Sequence, residues 1–214
     1  MNIRRNIALA LTGAAIITAT VVPATSAAEP KTIASVLNDG SGFDTNWYDY
    51  DILDTAVNAV LAAKPGSPLA AAADPATAYT VFAPNDRAFQ ALVASLTGKW
   101  YGTEGRVTDE LIKALGPTAI DTIENVVLYH IYAGGRVDFA TAKTLSGQSI
   151  PSALGPTIEI KYYGWLNLLV LGDKDTNALN PFVVNSKRNI DAGNSIIHGI
   201  SFVLRPMDLP PLAR

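Results

Sequence analysis

The chain has 214 residues, 49% of them hydrophobic and 16% charged, with a formal net charge of −3 and no cysteine. That length and apolar content point to one domain with a sizeable core, and no internal repeat divides it. The lack of cysteine excludes a disulfide framework, a thiolate metal site and a cysteine-anchored lipoprotein, and the mildly acidic balance lacks the electrostatic footprint of a nucleic-acid binder.

At the amino terminus Arg4 and Arg5 precede an apolar run over 7–22, and Pro23, Ala24, Thr25, Ser26, Ala27 and Ala28 follow it. This is the charged, apolar and small-residue order of a secretory signal peptide. Thr12, Gly13, Thr18 and Thr20 interrupt the run and leave it short for a membrane span, so cleavage after Ala27 or Ala28 is expected rather than an uncleaved anchor. The expected division is a leader over 1–27 and one domain over 28–214, with its core at about 32–206. The general secretory route is preferred to twin-arginine export, because the residues after Arg5 do not complete that second pattern. Loss of Arg4 and Arg5 moves the net charge from −3 to −5, and no later segment approaches spanning length.

The elements follow in chain order. Ile33, Val36 and Leu37 predict a short helix over 32–39, ended by the turn chemistry of Asp39, Gly40, Ser41 and Gly42. Leu53, Ala56, Val57, Val60 and Leu61 share one face of a second helix, which Lys64, Pro65 and Gly66 terminate. Ahead of it, Trp47, Tyr48 and Tyr50 read as a hydrophobic lid, and Asp49, Asp51 and Asp54 as caps and a solvated face rather than a cation site. The Pro- and Ala-rich stretch 65–78 reads as a surface connection.

The most sharply specified stretch is 79–96. Tyr79, Val81 and Ala83 alternate with Thr80 and Phe82 as in a strand, Pro84 ends the ladder, and Asn85 is an N-cap with Asp86 in the first turn. Phe89, Leu92, Val93 and Leu96 then line one helix face, and Gly98 supplies the stop. A polar and aromatic loop over 99–105 carries Trp100 and Tyr101 as surface candidates, after which Thr108 is expected to cap another helix closed by Gly116 and Pro117. Ile120, Ile123 and Val127 continue at helical spacing to Tyr129 and His130, where Gly134 and Gly135 change the direction.

Beyond Gly135 the period turns strand-like, with candidates at 136–139, 157–162, 166–171, 181–184 and 196–204. Helices first and strands second argue for an α+β fold, helices packed against a largely antiparallel sheet.

Three sets of residues give this pattern a family likeness. Thr80-Val81-Phe82-Ala83-Pro84-Asn85-Asp86-Arg87-Ala88-Phe89 resembles the first signature of the fasciclin (FAS1) domain, departing only where Asn85 replaces a usual Thr. Leu128-Tyr129-His130 resembles the family's Tyr-His motif. Asn194, Ile197 and His198 with Leu204 and Pro206 resemble its second signature, in which Ser195 stands for a common Gly, and Gly199 and Ser201 for a commoner Val and Asp. The resemblance implies a β-wedge of mostly antiparallel strands flanked by helices. It also implies a non-catalytic interaction module of extracellular adhesion and matrix proteins and of secreted or surface proteins of bacteria.

Candidate chemistry is sparse. No nucleophile elbow, phosphate loop, dinucleotide fingerprint or H-E-x-x-H helix is present. Ser195, His198 and Asp191 lie near one another in sequence, and His130 with His198 and a carboxylate is a conceivable metal set. Both histidines sit in apolar surroundings, which favours buried rings bonded to backbone, and no cofactor or metal is expected. Asn185, Asn189, Asp191 and Asn194 read as turn residues, with Asn194 setting the register of the last strand.

The first functional reading is therefore a secreted, non-enzymatic adhesion or matrix-binding module whose protein or glycan partner lies outside the cell. The alternative is an extracytoplasmic carrier of a small molecule or glycan, with Trp47, Tyr50, Trp100 and Trp165 lining a groove. One exposed concave patch of those rings favours the carrier, and separate burial favours the module.

Overall fold

Strand β1 (Thr80–Pro84) is buried along its whole length, and its alternation explains the architecture around it. In the computed structural model, which describes residues 31–72 and 74–208, Val81 and Ala83 face the helices while Phe82 faces a second core between two sheets. The leader expected over 1–27 lies outside the described residues, among which no helix is long and apolar enough to cross a membrane.

The helical layer forms where the spacing predicts. Helix α1 (Ile33–Leu37) starts from a reciprocal capping box between Thr32 and Ser35, and α2 (Asp51–Ala63) buries Ile52, Leu53, Ala56 and Val60. Helix α4 (Asp86–Thr97) follows β1 at once, because Asn85 accepts the Ala88 amide and Gly98 closes the helix in the left-handed region at φ 73°. The stretch 65–78 is not wholly surface connection: α3 (Leu69–Ala72) buries Leu69. Helix α5 (Glu104–Leu115) begins earlier than Thr108, since Thr103 supplies the cap and the Thr108 hydroxyl instead donates back to the Glu104 carbonyl at 3.0 Å. Helix α6 (Ala119–Tyr129) runs to His130 as expected.

The strands make two sheets rather than one. The first has the order β2 (Ile131–Tyr132), β1, β7 (Ser195–Ile200), β6 (Ile190–Ala192), and the second β3 (Ser149–Pro151), β4 (Thr157–Tyr163), β5 (Leu168–Gly172). All pairings are antiparallel except β1 with β7, which is parallel and pairs Phe82 with His198. Residues 136–139 are not a strand: Asp138 caps α7 (Phe139–Thr144) by accepting the Thr141 amide. The predicted strand at 181–184 is reduced to two isolated bridges, Val170 with Phe182 and Val183 with Ile200, so this segment pins one sheet to the other. Strand β7 ends at Ile200, short of the expected 204. The result is a mixed α+β wedge of mostly antiparallel strands, with one core under the helices and another between the sheets.

Candidate functional site

The three motif segments meet at His130, through its carbonyl and its ring. The Phe82 amide donates to the His130 carbonyl at 2.9 Å, and the Leu204 amide donates to His130 Nε2 at 2.9 Å. Because Nε2 is thereby an acceptor, Nδ1 carries the proton and donates to the Val126 carbonyl at 2.7 Å. His198 holds the opposite tautomer: Nδ1 accepts the Asn189 amide at 3.3 Å and Nε2–H donates to the Val137 carbonyl at 2.9 Å. Its ring stacks on Phe82 with centroids 6.0 Å apart. Burial lowers both imidazoles, His130 to about 4, so each is held neutral.

This arrangement leaves no ring nitrogen for proton transfer or a metal. Ser195 and His198 are three apart on β7 and so face opposite sides of the sheet. The Ser195 hydroxyl accepts the Tyr79 amide at 3.0 Å and donates to the Thr77 carbonyl at 3.3 Å, while Asp191 pairs with Arg136. The remaining motif residues are likewise structural. Thr80 Oγ1 donates to the Gly135 carbonyl and accepts the Val137 amide, Ala83 and Phe89 are buried, and Tyr129 Oη donates to the Thr157 carbonyl at 3.0 Å. Pro84 ends β1, Ile197 and Leu204 are buried in the two cores, and Pro206 is half-buried.

Asn194 does not form the turn itself. The positive φ falls on Gly193 at 72°, and Asn194 Nδ2 reaches the Pro75 carbonyl at 3.0 Å, tying the β6–β7 turn to the earlier connection. Arg136, which sequence reasoning passed over, clamps the same turn by donating to the Gly193 and Ser195 carbonyls and to Asp191.

The candidate contact aromatics do not form one groove. Tyr50 is buried and Trp47 and Tyr101 are half-buried, whereas Trp100 is 61% and Trp165 84% exposed. Trp165 stands at the β4–β5 tip beside exposed Tyr163 and Leu166, on the other sheet. Trp100, Trp47 and Tyr101 gather instead at the start of α4: Arg87 lies over the Trp100 ring at 5.1 Å, its amide donates to the Trp47 carbonyl, and Gln90 donates to the Tyr101 carbonyl. Tyr48, 64% exposed, extends this edge. A cleft of about 170 Å³ is lined by aliphatic side chains such as Leu53, Leu111, Val126 and Leu204 and by none of the four rings proposed for a carrier groove.

The carboxylates at the same edge correct the expectation of a solvated face. Asp49 and Asp51 are buried, as are Asp86 and Glu104, the first residues of α4 and α5. Burial raises Asp51 to about 6, and burial together with the Asp49 carboxyl raises Asp86. Burial also raises Glu104, and Asp54, which accepts from Asn38 and Asn58, is raised by it too.

A model of the fasciclin domain matches residues 52–206, which is most of the chain and contains all three motif segments. The chain belongs to the fasciclin domain family. None of the curated proteins compared with it matches. Among solved structures, it is similar to a FAS1 domain pair from the insect cell adhesion molecule Fasciclin I, at 14% identity and a TM-score of 0.42, over 72% of this chain and 43% of that one. It thus spans under half the length of that solved chain. Within the fasciclin signature, Gly199 has a local reason here: a Cβ at this position would lie 2.6 Å from both Lys187 Cβ and Tyr50 Oη, which leaves no room for the commoner Val.

Proposed function

We propose that this fasciclin protein is a secreted, non-catalytic contact module that holds a protein or glycan partner outside the cell, as in adhesion or matrix binding. The observation that carries the reading is the exposed edge at the start of α4, where Arg87 covers the Trp100 ring and its amide holds the Trp47 carbonyl, next in sequence to exposed Tyr48. Trp, Tyr and Arg are the side chains that most often dominate binding energy, because each couples a large rigid apolar area to a polar handle. Support for the non-catalytic part is that both histidines and Ser195 spend their polar atoms on backbone groups.

The carrier alternative has less support, because Tyr50 is buried and Trp165 stands on the other sheet from Trp47 and Trp100, and the cleft between α2, α5 and α6 offers aliphatic walls with few groups to bond a sugar. The test is retention of material from extracellular and cell-wall extracts by the immobilised protein. Trp100→Ala is expected to lower retention at least tenfold while Trp165→Ala keeps it, and equal retention by parent and Trp100→Ala contradicts the reading. A fluorophosphonate probe is expected to leave Ser195 unlabelled, and labelling there contradicts the non-catalytic assignment.

A further inference from the structure

Among the described residues, no cationic side chain pairs with the acids gathered at the 43–50 loop. Asp44, Asp49 and Glu104 each place a carboxylate oxygen within 4.8 Å of the others. Two oxygens on opposite sides of a calcium ion, each bonded at about 2.4 Å, stand roughly that far apart. Glu104 gives one oxygen to the Asp44 amide at 2.7 Å, and Asp49 gives one to Asn46 Nδ2 at 2.7 Å. The second oxygen of each, Glu104 Oε1 and Asp49 Oδ1, is buried without a partner.

One further group outside that trio reaches it. Asp86 is wholly buried against the Asp49 carboxyl; its Oδ1 accepts the Ile52 amide at 2.9 Å and its Oδ2 has no partner. Among the described residues no ion pair reaches these acids, and Lys187, over the Tyr50 ring at 5.9 Å, pairs with none of them.

We propose that Asp44, Asp49 and Glu104 bind a hard divalent cation of the calcium class, with Asp86 completing the negative shell. Exposed Asp44 gives the ion access from solvent, and an irregular loop of carboxylates suits the variable coordination of calcium better than the strict octahedron of magnesium. The ion ties the 43–50 loop, which carries Trp47 and Tyr48, to the start of α5. This revises the expectation of no metal, and it holds whatever partner the exposed edge contacts.

The experiment is terbium luminescence on the purified full chain freed of metal by chelation, excited through Trp47 and Tyr50, with calcium and magnesium as competitors. The expected result is sensitised emission that calcium displaces and equimolar magnesium does not, with at least tenfold weaker terbium affinity in Glu104→Gln and Asp44→Asn. Asp44 is exposed, so Asp44→Asn decides the matter even if Glu104→Gln fails to fold. No emission, emission that millimolar calcium leaves unchanged, equal displacement by magnesium, or an unaltered affinity in Asp44→Asn overturns the proposal.

Discussion

His130 and His198 perform the same service through opposite tautomers, and that difference is measurable. Nitrogen chemical shifts are expected to place the proton on Nδ1 of His130 and on Nε2 of His198, as the Leu204 and Asn189 amides dictate. The His130 ring is expected to stay neutral at pH 5.5, well below the ordinary histidine value, because its buried group titrates near 4. The linkage has a definite sign. The unfolded chain takes up its proton first, at about pH 6.5, so His130 contributes a loss of stability as pH falls from there toward 4. A shift titration that finds His130 protonated at pH 6 contradicts this account of the ring. Gly199 gives a second prediction at this scale: Gly199→Val, although it restores the family's commoner residue, is expected to destabilise by about 1–3 kcal/mol through overpacking against Lys187 and Tyr50. A thermal melt no lower than that of the parent contradicts it.

The corner between β1 and α4 is the element most completely written in local sequence. Asn85→Ala removes the acceptor of the Ala88 amide and is expected to cost about 1 kcal/mol, lowering Tm by about 2–4 °C in a domain of this size. An unchanged Tm contradicts the capping role. Period and caps made α1, α2, α4, α6 and β4 legible, because each depends on neighbours within a few residues. The short strands β2, β3 and β6 were not legible, since two or three residues carry no period, and partners distant in sequence decide their pairing. Residues 136–139 misled for the same reason: the alternation of Val137 and Phe139 suits a strand, but the Asp138 side chain accepts the Thr141 amide and starts a helix. The acidic edge was hidden because its members come from a loop and two helix starts, Asp44 and Glu104 being 60 residues apart, which no local spacing rule joins.

At the scale of the whole molecule, four of the motif residues are buried in one network while Trp100 and Trp165 stand exposed outside it, and the proposed contact role falls to the exposed rings. Phe82, His130, His198 and Leu204 tie the exit of α6, the parallel pair β1–β7 and the final segment into one buried network. Trp100 takes no part in that network, its ring meeting the Arg87 guanidinium at the surface. The proposed leader belongs to this scale too: exported protein is expected to begin at Ala28 or Glu29, and a full-length intact mass in the supernatant contradicts secretion by cleavage. The division of labour between motif and edge is tested most directly by urea unfolding of His130→Ala, His198→Ala and Trp100→Ala beside the parent. Each histidine variant leaves a buried backbone group unsatisfied and is expected to lose about 1–3 kcal/mol, with a clearly lower midpoint. Trp100→Ala is expected to stay within about 0.5 kcal/mol of the parent. Parent-like midpoints for both histidine variants, or a Trp100→Ala midpoint that falls as far as theirs, contradict the account.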